Sequence, residues 1–219
     1  MDINIRKATE ADKDFLITSI IEAEKSGGAI ISYCAIFNIT EEALHAALAN
    51  MLDEDMEGQE LNISGFLVGE VDGEKAAAMN TWVENANGMS SSMIKSNLLM
   101  YFLDRQALLN AAPAISLMNE VNIHRDDNAL QIECVYTAEK YRGLGLSSKL
   151  INEHIRLKQE VAIPFDKVQV ILLKNNTAAQ RAYEKAGFTV VAEKQCADPA
   201  ILKLLPCDTK ILMEKKINN

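Results

Sequence analysis

The residues with the clearest chemical capacity lie in one run from Val135 to Ile151, where an apolar strand signal passes through Arg142-Gly143-Leu144-Gly145 directly into a helical pattern. Gly143 and Gly145 carry no Cβ atoms to hold a ligand off the backbone. Successive N–H groups from Arg142 through Leu144 and Leu146 to Ser147 can therefore converge on one oxyanion, with the positive end of the following helix beneath it. A phosphate suits such a site. Gly143-x-Gly145-x-x-Ser148 half-matches a dinucleotide fingerprint. Against that, the third glycine is Ser148, the motif lies late in the chain, and Asp166 precedes the next strand where a ribose-binding acid should end it. No Gly-Lys-Ser/Thr follows, which excludes a Walker loop.

A second pattern lies downstream, Asn176-x-x-Ala179-x-x-x-Tyr183-x-x-x-Gly187-Phe188. Its four-residue steps put Ala179, Tyr183 and Gly187 along one helix face. The third feature is Glu133, a carboxylate set among Leu130, Ile132, Cys134 and Val135 in a strand expected over 128–136. Duty as a general base toward an amine would explain it, and so would a salt bridge or edge exposure. Gln131 shares its face and Glu120 lies upstream, so either could orient an acceptor or a relaying water. The histidines are weaker candidates. His45 reads as a surface helical residue, His124 adjoins a solvent-loop pattern, Arg125-Asp-Asp-Asn128, and His154 sits beside the buried stripe of the helix after the glycine loop.

Read together, Arg142-x-x-Gly145-x-Ser147 and the Asn176 to Phe188 pattern resemble the GCN5-related N-acetyltransferases (GNAT), which bind acetyl-coenzyme A. The resemblance covers mainly 128–188. It implies an α/β fold with a mixed, mostly antiparallel central sheet flanked by helices, and a helical insertion between strands 3 and 4. It also implies that backbone near Val135, Tyr136 and Thr137 pairs with the pantetheine arm and that the loop from Arg142 to Ser147 takes the pyrophosphate. Asn176 and Ala179 would lie near the reactive end of the coenzyme, and Tyr183 would protonate its departing thiolate. Two departures stand out: Ser147 replaces the usual Gly or Ala, and Glu139 stands where a proline is usual. A serine at a helix start is small enough to fit, and its hydroxyl can add a phosphate contact.

The implied chemistry is attack by a primary amine of a small molecule or peptide on the acetyl thioester in a ternary complex, with Glu133 as base, Tyr183 as acid and no metal. An alkyl amine is mostly protonated at neutral pH, so such a site must remove a proton, hold the developing oxyanion with N–H groups and reprotonate the sulfur. The other reading is a non-catalytic acyl-coenzyme A binding or regulatory module of the same fold, which would need neither Glu133 nor Tyr183.

Composition narrows the remaining classes. The 219 residues, 48% of them hydrophobic, suit one domain over 1–219. No run approaches the ~18 apolar residues of a membrane span, and the amino terminus lacks a signal-peptide layout, so a cytoplasmic protein without membrane partners is expected. A formal charge of −9 and the lack of a basic patch disfavour nucleic acid. Cys34, Cys134, Cys196 and Cys207 are widely spaced, so neither a zinc site nor a disulfide framework is indicated.

The elements that must position these groups can be read in order. A strand over 4–8 precedes a helix capped by Thr9 and ended by Ser26-Gly-Gly28, with Phe15, Leu16, Ser19, Ile20 and Ala23 at helical spacing. The stretch 29–37 is apolar but irregular, and Thr40 caps a second helix. Strands over 63–71 and 74–83 flank Asp72-Gly73, a strong hairpin signal. One helix is expected over 90–112, with Pro113 after its end and Met93, Leu98, Phe102, Leu103, Leu108 and Leu109 on an apolar surface. That insertion could shape the acceptor pocket, or cover the sheet, or form a homodimer contact. A strand over 165–173, a helix stopped by Gly187 and closing strands over 188–194 and 209–215 complete the chain.

Overall fold

The computed structural model describes residues 1–161 and 163–217; Ala162, Asn218 and Asn219, which the single-domain expectation includes, lie outside the described residues. Seven strands form one sheet in the order β1-β2-β3-β4-β5-β7-β6. Strands β1 (Ile3–Lys7), β2 (Phe66–Val71), β3 (Glu74–Val83) and β4 (Leu130–Thr137) are successively antiparallel. Strand β5 (Lys167–Leu173) runs parallel to β4, and β7 (Thr209–Lys216) and β6 (Thr189–Gln195) add antiparallel beyond it. The β2–β3 hairpin turns on Asp72 and Gly73, both at positive φ, as a tight two-residue turn requires.

Side-chain alternation sends the two faces of the sheet into separate cores. On one face Phe66, Val68 and Ala78 pack against α1 (Lys13–Lys25), α2 (Ser32–Phe37) and α3 (Glu41–Glu54). On the other, Leu67, Met79, Leu130 and Ile132 meet Leu146, Leu150 and Ile151 of α7 (Leu146–Glu160), and Tyr183 of α8 (Thr177–Lys185). Arg6 fastens the first edge: its guanidinium bonds the buried Asp12 at 2.7 and 2.9 Å and Glu70 at 2.8 Å. Asp12 in turn accepts the Thr9 N–H at 2.9 Å, so the turn into α1 is held by one carboxylate.

Three expectations need correction. The stretch 29–37 contains α2, because its apolar residues Tyr33 and Phe37 stack one helical turn apart and fill the first core. The single helix over 90–112 is three: α4 (Ser91–Phe102), α5 (Arg105–Asn110) and α6 (Ala112–Glu120). Leu103 turns extended (φ −93°, ψ 149°), and Asp104 restarts the helix by accepting the Gln106 N–H at 2.7 Å. Pro113 opens α6 instead of following a helix end, a place where its missing N–H costs nothing. Met93 and Leu109, expected on the apolar surface of that helix, are exposed at 55% and 61%. Several strand ends also move by two or three residues; β2 starts at Phe66 and β5 at Lys167.

Candidate active site

The site begins where the parallel pair comes apart. β4 and β5 are in register only from Leu130 to Ile132 against Val168 to Val170. Beyond that point, Glu133 to Thr137 keep β3 as a neighbour and Ile171 to Leu173 keep β7, but the edges that face each other have no partner strand among the described residues. A bulge in β4 accompanies the parting. Asn80 lies opposite Glu133 while Ala78 lies opposite Tyr136, so β4 fits an extra residue into that interval, and Cys134 takes φ +51° to accommodate it. The bulge turns Glu133 and Cys134 toward the α1–α2 side, and Val135 packs on the α7 side.

Each parted strand is followed by a helix, α7 after β4 and α8 after β5, and Asn176, Ala179 and Tyr183 of the second of these line the opening. Ahead of α7, Gly143 and Gly145 take φ +86° and +72°, and a Cβ at either would meet nothing within 4 Å. Their glycine identity thus serves backbone conformation and leaves open space above the turn. The N–H groups of Gly143, Leu144, Gly145, Leu146, Ser147 and Ser148 have no backbone acceptor among the described residues. The Arg142 N–H differs from expectation: it donates to Glu139 O at 3.2 Å, closing a short 3-10 turn, so the free donors begin at Gly143. The Arg142 side chain is exposed, its Nε 3.4 Å from Thr137 O. Six free N–H groups at the start of a fifteen-residue helix can hold a diphosphate.

Ahead of α8, Asn176 caps the helix by accepting the Ala179 N–H at 3.2 Å. Tyr183 stands on the inner face, 6% exposed, packed edge-on to Phe188 with ring centroids 5.4 Å apart. Its hydroxyl has no hydrogen-bond partner among the described residues, and burial together with the nearby Glu133 charge pushes its pKa up. Tyr183 therefore carries its proton throughout the neutral range. Asn176, Ala179, Tyr183, Val135 and Glu133 all line one cleft of about 420 Å³ between the parted strands. Tyr136, the next residue along β4, packs its ring against Phe15 at 6.1 Å.

The floor of the cleft is more charged than the sequence suggested. Arg125, read as part of a solvent loop, folds inward to bond Glu133, with side chains 16% and 26% exposed. Trp82 supports the guanidinium at 5.4 Å, and Glu84 holds Trp82 by accepting its Nε1–H at 2.8 Å. Glu60 is 5% exposed and bonds Lys95 of α4. Burial opposes ionisation of Glu60, but Lys95 and Arg125 beside it hold its carboxyl below the usual range. Glu24 of α1 and Lys210 of β7 also line the cleft. Burial raises the Glu24 pKa and lowers that of Lys210. The sequence reading missed Glu24, for which the one available signal is its place four residues after Ile20 and seven after Ile17 on α1.

The remaining candidates lie elsewhere. Gln131 is tied to Gln169 at 3.0 Å within the sheet, and Glu120 is exposed, accepting the Cys196 thiol at 3.3 Å. Neither lines the cleft. His45 and His124 are exposed. His154 is buried beside β3: its Nε2 is 3.0 Å from Met79 O, which fixes the proton there, and Nδ1 accepts from the Thr81 hydroxyl at 2.8 Å. Burial lowers its pKa to about 3, so it is a neutral structural link. The four cysteines are unpaired, and among the described residues no group of three His, Cys, Asp or Glu could hold a metal.

Residues 114–190, which include the glycine turn and the Asn176 to Phe188 pattern, match the acetyltransferase (GNAT) domain model. No curated protein matches the sequence. Among solved structures, an N-acetyltransferase from Staphylococcus aureus Mu50 is similar at a TM-score of 0.64 and 17% identity, covering 97% of this chain and 100% of that one. A GNAT-family acetyltransferase from Streptococcus pneumoniae gives 0.53 at 18% identity, over 99% and 100%. The polyamine N-acetyltransferase of Drosophila melanogaster gives 0.59 at 10% identity, over 99% and 100%. At these identities the structural likeness concerns the fold.

Proposed function

We propose that this chain, which carries a GNAT acetyltransferase domain on a GNAT fold, transfers an acetyl group from acetyl-coenzyme A to a primary amine of a small molecule. The observation that carries the reading is the parting of β4 from β5, with Tyr183 and the start of α8 lining the opening and the glycine turn leading from β4 into α7. The residues present fit the coenzyme. Free N–H groups from Gly143 to Ser148 suit its diphosphate, and the unpaired edge of β4 from Glu133 to Thr137 offers backbone donors and acceptors to the amide-bearing arm. Bound there, acetyl-coenzyme A would supply an activated thioester.

The chain's own residues supply the proton handling. The acceptor ammonium loses one proton to become nucleophilic and another as the nitrogen–carbon bond forms and the carbon–sulfur bond breaks; one proton must reach the sulfur, and the net proton released leaves to solvent. Tyr183, protonated and with its hydroxyl uncommitted, gives the proton that reaches the sulfur. Glu133 at the β4 bulge accepts the first, directly or through a water, while Arg125 orients its carboxylate. The apolar walls, Ile132, Val135 and Leu172, keep water from competing for the acetyl group.

Calorimetry with acetyl-coenzyme A and with NADH, together with thiol release over a panel of amines, tests the reading. Micromolar binding of acetyl-coenzyme A and amine-dependent thiol release are expected. Preference for NADH, or no thiol release with any amine, would overturn it.

A further inference from the structure

Six acidic or basic side chains line the cleft, Glu24, Glu60, Lys95, Arg125, Glu133 and Lys210, beside the weaker acids Tyr33, Cys134 and Tyr183. Four of them cancel in pairs, Lys95 with Glu60 and Arg125 with Glu133. Glu24 and Lys210 remain, and neither has an ion-pair partner among the described residues. They come from different elements. Glu24 ends the buried stripe of α1, whereas Lys210 opens β7 beside Leu173, where β5 has already left β4. Each is desolvated, and each feels the opposite charge of the other without bonding to it. One unpaired charge of each sign in a shared cleft is unfavourable alone and is complemented by a ligand carrying both signs.

Taking the acetyltransferase reading as its basis, we infer that the acceptor is a zwitterion of the amino-acid type, with its carboxylate held by Lys210 and its ammonium group drawn to Glu24 beside Tyr183 and Glu133. Burial that favours neutral Glu24 is offset once an ammonium group arrives, so its ionisation and acceptor binding support each other. A polycation fits the same walls poorly. It would bring further positive charge toward Lys210, Lys95 and Arg125, of which only the last two are already neutralised. The helices between β3 and β4 contribute directly, since Lys95 belongs to α4 and its bond to Glu60 leaves Lys210 as the free cation of the cleft among the described residues.

Thiol release from acetyl-coenzyme A is measured with free amino acids, with the matching amino-acid amides and with the matching amines that lack the carboxyl group. Coenzyme binding is followed separately by calorimetry. The amino acids should exceed both other sets in kcat/KM by about ten-fold or more, as loss of one charge-assisted contact implies. Lys210→Met and Lys210→Gln should each reduce that ratio to near one, through KM and with unchanged affinity for acetyl-coenzyme A, in protein whose circular dichroism matches the parent. Equal or better transfer to the amides or to the simple amines would overturn the inference and leave acetyl transfer standing. So would a ratio that survives both folded variants. Absence of coenzyme binding together with absence of thiol release from every amine would overturn the acetyltransferase reading itself, and this inference with it.

Discussion

Arg125 bonds Glu133 across the floor of the cleft, so the carboxylate that interrupts the apolar run of β4 is fixed by a residue from the loop that precedes the strand. A carboxylate so oriented is also tempered, because the guanidinium that aims it competes for its lone pairs. Glu133→Gln should lower turnover at neutral pH by about ten-fold or more, with partial recovery at high pH as free amine becomes abundant. The same change leaves Arg125 without its anion in a largely buried place and should cost roughly 1–3 kcal/mol of stability. Urea unfolding and pH–rate profiles check the two effects separately. Turnover unchanged at every pH would remove Glu133 from the chemistry.

Tyr183→Phe deletes one hydroxyl and keeps the edge-on packing against Phe188. Turnover should fall by about ten-fold or more while thermal stability and coenzyme affinity stay near the parent values. Because burial raises the tyrosine pKa, the donor stays protonated well above neutrality and should impose no alkaline limb on the rate near pH 9. Parent-level turnover in the Phe variant would reduce Tyr183 to packing.

At Gly145 the backbone takes φ +72° with open space where a Cβ would be. Gly145→Ala therefore introduces strain without collision, at a cost of roughly 1 kcal/mol, and shifts the N–H groups that start α7. The affinity for acetyl-coenzyme A should drop by about ten-fold, read by calorimetry, with a smaller effect on acceptor KM. Unaltered affinity would show that the turn does not hold the diphosphate.

His154 links α7 to β3 in its neutral form, with a pKa near 3 against an ordinary value of 6.5. A histidine whose pKa is depressed by folding stabilises the protein fully above 6.5, and that contribution is lost as pH falls from 6.5 toward 3. Urea unfolding at pH 7 and pH 5 should differ by about 2 kcal/mol from this group. In His154→Gln the difference should shrink by that amount, and an unchanged difference would contradict the assignment.

The sequence alone determined the groups whose conformation is dictated locally. Positive φ at Gly143 and Gly145, the Asp72-Gly73 turn and the four-residue spacing of Ala179, Tyr183 and Gly187 follow from steric and hydrogen-bonding demands within a few residues, and the sequence narrowed the cap of α8 to Asn176 or Thr177, of which the structure uses Asn176. The glycine turn and the face bearing Tyr183 were therefore readable before any tertiary contact was known. Tertiary structure decided the charge of the cleft. Glu24, Glu60, Lys95, Arg125 and Lys210 come from five separate parts of the chain, and the inward fold of Arg125 depends on Trp82 and Glu133, far from it or facing it only once β4 is paired with β3. The break of the helix at Leu103 and Asp104 had a local cap signal in Asp104, whereas the contact of Lys95 with Glu60 arises from packing on the finished core. Charges find partners across the fold, whereas backbone turns are settled by their own neighbours, and so the glycine turn could be read from the chain and the charges of the cleft could not.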